Sequence, residues 1–229
     1  MTNASSLLRW SICLLVFTGC QTDTDPTTNL TSQMDSIAYA VGMDIGKFYH
    51  TKQGIELDPE HVYQGFRDIV SDSLSLRMTE AEGAALITRF ANMMEAKLAA
   101  TNEINQQGFL DQNRIREGVM ERPSGIQYEV LQEGAGSSPT LDNIVRISFT
   151  GQLLDGTIFA TSANEPEQSL EIDISQTVAG LQEALTHMKP GDQWKVWIPA
   201  ELGYGSENRP PIGPNSLLVY TIELQEIMR

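Results

Sequence analysis

Side chains able to shuttle protons, attack carbonyls or hold metals are scattered in this chain. His50, His61 and His187 are isolated, and none has a Cys or second His at metal-ligand spacing, so all three read as surface or satisfied residues. The carboxylates, among them Glu165, Glu167 and Asp173, show no pairing that would mark a general acid and its base. Gly203-Tyr204-Gly205 lacks the Lys and the helix start that a phosphate loop needs. The residue that stands out is Tyr204. It sits between two glycines in a Gly/Pro-rich stretch from Pro199 to Asn215, where an aromatic ring has no evident structural job and a contact role is the better account.

The segments flanking Tyr204 must position it. Val145, Ile147 and Phe149 alternate with Arg146, Ser148 and Thr150, and Asp155-Gly156 supplies the turn of a two-stranded hairpin. Leu170, Ile172 and Ile174 form a third alternating run. Val178, Leu181, Leu185 and Met188 have helical spacing, closed by Pro190-Gly191. Strands follow at Trp194, Val196 and Ile198 and at Leu218, Tyr220, Ile222 and Leu224, with Trp194 on the core parity. One short helix against one antiparallel sheet is an α+β domain.

Five pieces of that domain resemble FKBP-type peptidyl-prolyl isomerases in order and spacing. They are Phe149-Thr-Gly-x-Leu-x-Asp-Gly-x-x-Phe159, Val178-x-Gly180, Met188-x-x-Gly191, Ile198-Pro-x-Glu-Leu-Gly-Tyr-Gly205 and Ile212-x-Pro-Asn-Ser-Leu-x-x-Tyr220. The upstream chain, with its lead-in Pro123-Ser-Gly-Ile-Gln-Tyr-Glu-Val-Leu131, is similar to the macrophage infectivity potentiator subgroup, whose members are two-domain envelope proteins. The resemblance implies an antiparallel sheet wrapped on one helix, and catalysis of rotation about X-Pro bonds in polypeptide clients. That rotation faces about 18 to 20 kcal/mol of lost amide resonance. A twisted imide is less polar than a planar one, so a dry aromatic pocket favours it with no nucleophile, acid-base pair, metal or cofactor.

By the same resemblance, Phe149, Phe159 and Tyr204 are the catalytic residues, and Leu170, Val178, Leu181, Ile212 and Tyr220 bind substrate. Tyr204 would donate its hydroxyl to a substrate carbonyl, and the Val178 N–H would donate to a neighbouring one. For each apolar member, ordinary core packing is the other reading. Three positions depart from the family pattern: Phe149 replaces a Tyr, Leu181 a Trp and Ala160 an Asp. Losing such groups from a dry site costs about 1 to 3 kcal/mol, roughly a ten- to hundredfold in rate. Low activity is therefore expected. The alternative function is a non-catalytic dimeric chaperone that keeps the fold with a weakened site.

The 229 residues are 41% hydrophobic, enough for one or two cored domains, and a net charge of −15 argues against nucleic acid or an anionic membrane surface as partners. Arg9, the apolar run Trp10 to Phe17 and Thr18-Gly19-Cys20 resemble a bacterial lipoprotein signal over residues 1–19, with lipid on Cys20 anchoring the protein in the bacterial envelope. Removal by an ordinary signal protease is the other reading. With Cys13 in that segment, removal of the signal leaves the mature fold without a disulfide. Residues 20–33 are polar and read as a tether.

Residues 34–116 read as a helical domain with a connecting helix, and 117–229 as the isomerase domain. Ile37, Val41, Ile45 and Phe48 share one helical face, and Val62, Phe66, Ile69 and Val70 another. Asp58-Pro59 starts the second helix, and the capping box Thr79-Glu-Ala-Glu82 starts a third that runs toward Arg116. Two short helices cannot cover so long a partner, so a homodimer through residues 34 to about 100 is expected. The stripe Phe90, Met93, Met94 reads as core or dimer packing, with client binding as the alternative. Gly108, Gly118 and Arg122-Pro-Ser-Gly125 are expected to weaken the helix and hand over to the second domain.

Overall fold

The computed structural model describes residues 30–53, 57–71, 76–165 and 168–228, and the chain divides into two units, 1–72 and 73–229. The expected signal peptide, Cys20 and residues 20–29 of the tether lie outside the described residues.

The first unit contains α1 (Gln33–Gln53) and α2 (Pro59–Val70). Asp35 accepts the Ser32 N–H at 2.8 Å, and Asp58 accepts the Glu60 N–H at 3.0 Å with Pro59 in the first turn. These carboxylates satisfy amide donors that a helix start leaves open. Ile37, Val41 and Ile45 of α1 are exposed, as are Val62, Phe66, Ile69 and Val70 of α2.

The second unit opens with α3 (Glu80–Asn113), 34 residues long, or roughly 50 Å. Its capping box forms as the sequence suggests: Thr79 N–H donates to Glu82 at 2.8 Å and Glu82 N–H to the Thr79 hydroxyl at 3.2 Å. Gly108 does not weaken this helix, which runs through it and stops at Asn113, short of Arg116. Arg122-Pro-Ser-Gly125 is the turn of a hairpin between β1 (Val119–Glu121) and β2 (Gln127–Gln132), closed by the Gly125 N–H on the Arg122 carbonyl at 2.9 Å.

Beyond it come β3 (Ile144–Gln152), β4 (Ile158–Thr161), β5 (Leu170–Asp173), α4 (Ala179–His187), β6 (Gln193–Ile198) and β7 (Leu218–Ile227). The antiparallel sheet has the order β1-β2-β6-β7-β3-β4, and β5 also pairs with β3. The β3–β4 turn is the expected one: Leu153 N–H meets the Thr157 carbonyl at 2.9 Å, and Gly156 takes φ +86°. Ile174 does not extend β5. It is fully buried and opens a 3-10 turn, Ile174–Gln176, capped where Asp173 accepts the Ser175 N–H at 2.9 Å.

Strand alternation gives the sheet two apolar faces. Val196 and Ile198 of β6 and Leu218, Ile222 and Leu224 of β7 pack with Leu181, Ala184 and Leu185 of α4, and Trp194 joins them as expected. On the other face Trp197, Leu217 and Val219 pack with Phe109 and Leu110 of α3. The end of the long helix is therefore covered by its own chain. Buried amides fix that docking, with Asn113 donating to Gln127 at 2.9 Å and Gln127 to the Leu110 carbonyl at 3.0 Å.

Candidate active site

A cavity of about 530 Å³ opens on the α4 side of the sheet. The sheet supplies its floor through Ile147 and Phe149 of β3, Ile172 of β5, and Tyr220 and Ile222 of β7. Phe159 and Ala160 of β4 form one wall, and Val178 and Leu181 at the start of α4 form another. The loop after β6 closes the rim with Tyr204, Glu207 and Arg209.

Six of the eight residues singled out in the sequence meet here: Phe149, Phe159, Val178, Leu181, Tyr204 and Tyr220. Leu170 and Ile212 do not. Leu170 is the first residue of β5, 40% exposed, and Ile172 two positions along takes the place expected for it. Ile212 is buried in the core beneath the loop, paired with Arg209 through mutual backbone hydrogen bonds of 2.7 and 2.8 Å. Ile147, Ile172 and Ile222 were visible as core-parity strand residues, but nothing local marked them as cavity floor. Glu207 and Arg209 carried no motif at all.

The aromatic rings interlock. Phe159 meets Tyr220 edge to face at 5.5 Å between centroids, and Phe149 lies tilted against the same ring at 6.1 Å. Tyr220 is 5% exposed, and that burial, with the neighbouring Tyr204 phenol adding to it, pushes its hydroxyl well above the usual phenol range. It stays neutral at physiological pH. The Arg209 guanidinium lies 5.0 Å from the centre of the Tyr204 ring and bonds Glu207 at 2.6 Å, so the rim carries an ion pair against an aromatic face.

Val178 is the N-cap of α4 and makes no side-chain cap. Among the described residues its backbone N–H has no hydrogen-bond partner, which leaves a donor at the cavity wall. Gln182 holds the preceding turn by donating to the Thr177 carbonyl at 2.8 Å and the Ser175 carbonyl at 3.0 Å. Phe149, Ala160 and Leu181 all stand on the cavity surface.

A helix lies across an antiparallel sheet and encloses a hollow lined by aromatic rings, with the unpaired Val178 N–H at its wall. The family model for the FKBP-type peptidyl-prolyl cis-trans isomerase matches residues 136–225, and that for the domain amino terminal to it matches residues 34–130. The outer membrane protein MIP of Legionella longbeachae is 32% identical over 210 residues, covering 88% of this chain and 89% of that protein. The peptidyl-prolyl cis-trans isomerase Mip of Coxiella burnetii is 33% identical over 210 residues, covering 88% and 90%. The crystal structure of FkpA from Escherichia coli superposes with a TM-score of 0.63 at 26% identity, covering 86% of this chain and 98% of that one. The chain belongs to the FKBP-type peptidyl-prolyl cis-trans isomerases.

Proposed function

We propose that this isomerase binds a proline-containing client segment in the aromatic hollow and catalyses rotation by stripping water from the imide. The observation that carries this is the set of rings of Phe149, Phe159, Tyr204 and Tyr220 around one cavity whose charged lining residues, Glu207 and Arg209, are bonded to each other at the rim. A twisted imide is less polar than a planar one and is favoured where water is excluded. Tyr204 donates to a client carbonyl and the Val178 N–H to a neighbouring one. Phe159 and Leu181 wall the prolyl ring, with Phe149 and Tyr220 beneath it.

The wider reading is an envelope lipoprotein: signal peptide 1–19, lipid on Cys20, tether 20–33, helical dimerisation and connecting region 34–116, isomerase domain 117–229. The Legionella relative's name as an outer membrane protein supports the envelope location, and the exposed apolar residues of α1 and α2 support the dimer. The clients are then envelope polypeptides. The placement of Phe149, Ala160 and Leu181 on the cavity wall favours a second reading, a client-holding dimer with weakened catalysis.

A proline-limited refolding assay tests the proposal. The protein accelerates the slow phase, and Tyr204→Phe and Phe159→Ala each lower that acceleration at least about tenfold. No acceleration by the parent, or none lost in the variants, would refute it. Suppression of client aggregation that survives both substitutions would favour the second reading.

A further inference from the structure

The loop that carries Tyr204 runs from the end of β6 to the start of β7 and has little structure of its own. A 3-10 turn at Ala200–Leu202 and the paired residues Arg209 and Ile212 are its regular features. Its anchors come from α3. The Gln106 side-chain oxygen, on a residue only 5% exposed, accepts the Ala200 N–H at 2.7 Å. Asn102, one turn earlier on the same face, donates to the Pro214 carbonyl at 2.8 Å and the Ser216 hydroxyl at 3.2 Å. A further turn earlier, Leu98 lies so close to Gly213 that an added Cβ would sit 3.0 Å from its methyl group.

These anchored points are the ones that hold the residue next to Tyr204. The Gly205 N–H donates to the Ala200 carbonyl at 2.8 Å, and the Gly205 carbonyl accepts the Asn215 N–H at 2.7 Å. Asn215 lies between Pro214 and Ser216, the two residues that Asn102 grips. Both hydrogen bonds that fix Gly205 therefore end on residues that α3 holds or flanks.

We propose that Gln106 and Asn102 are positioning residues for the isomerase reaction: α3 sets the place of the Tyr204 hydroxyl by clamping both ends of its loop. This rests on the role given to Tyr204 above. The connecting helix is then part of the active-site framework, and a client force or partner that shifts α3 changes the rate.

A double-mutant cycle on kcat/KM in the full chain tests this. Gln106→Ala leaves the buried Ala200 N–H unpaired and is expected to lower kcat/KM about tenfold. In a Tyr204→Phe background the same substitution is expected to cost less than about twofold, because the displaced group is already gone. Losses that multiply in full would show that Gln106 supports the fold generally, overturning the inference while leaving Tyr204 its role. Tyr204→Phe as active as the parent would overturn that role and the inference with it. Should Gln106→Ala fail to fold, Asn102→Ala carries the same cycle, and no rate change there would also overturn the inference.

Discussion

Gly151→Ala perturbs the cavity wall without touching any hydrogen-bonding group. A Cβ at 151 would lie 2.7 Å from two carbons of the Phe159 ring and 3.0 Å from one of Tyr220. Carbon atoms pack at about 3.5 to 4.0 Å, so the Phe159 ring must retreat by roughly 0.8 Å or more. Gly151 is paired with Ala160 on one side and Tyr220 on the other, which leaves the backbone little room to give. The half-buried Phe159 ring borders open cavity and moves instead. Overpacking of this kind costs about 1 to 3 kcal/mol, and removing glycine from the unfolded chain returns about 0.4 to 1. The net loss is expected near the low end, a fall in Tm of about 2 to 4 °C. Catalysis suffers more, because a misplacement of about 1 Å in a positioned site can lower the rate about a hundredfold. Exchange between cis and trans forms of an X-Pro peptide, followed by NMR without a coupled protease, measures kcat/KM, and calorimetry measures Tm. A variant within about twofold of the parent in kcat/KM would refute the claim that ring placement governs the rate.

Ala160→Asp puts a carboxylate on a cavity wall whose one lining cation, Arg209, already bonds Glu207 at 2.6 Å. Burial raises the new carboxyl's pKa, so the folded form binds more protons than the unfolded one. The penalty, about 1 to 3 kcal/mol, is full at pH 7 and fades as the pH falls to about 4. Thermal melts of parent and variant at the two pH values check this. The helix caps titrate with the opposite sign. Asp35, Asp58 and Glu82 are held below their ordinary values of 3.8, 3.8 and 4.5 chiefly by the backbone N–H groups of Ser32, Glu60 and Thr79. Their contribution is full above those values and is lost as the pH falls through the depressed ones. Circular dichroism below about pH 4 is expected to show the loss, and Asp58→Ala to remove α2's share of it.

Much of the fold was legible because its signals are local. The capping box at Thr79, the turn at Asp155-Gly156 and the alternation in β3, β6 and β7 each depend on neighbours a few residues away. The cavity was only partly legible. Alternation placed Leu170 and Ile172 on one face, but which rung looks into the hollow depends on the pairing of β5 with β3, set by distant residues. Ile212 was apolar and near Tyr204 in sequence, yet the loop folds it under instead of outward. Docking of α3 on the sheet was invisible for a related reason. Its stripe Leu98, Asn102, Gln106, Leu110 mixes apolar and amide side chains, and its partners lie on β6, β7 and the loop between them, about a hundred residues on.

In the proposed mechanism the imide twists because the hollow excludes water, with no proton moved in the rate-limiting step. The ratio of kcat/KM in H2O to that in D2O tests it most directly. A ratio of about 1 is expected, since nothing is protonated or deprotonated at the transition state. A ratio of about 2 or more would mean that a proton is in flight, contradicting catalysis by desolvation.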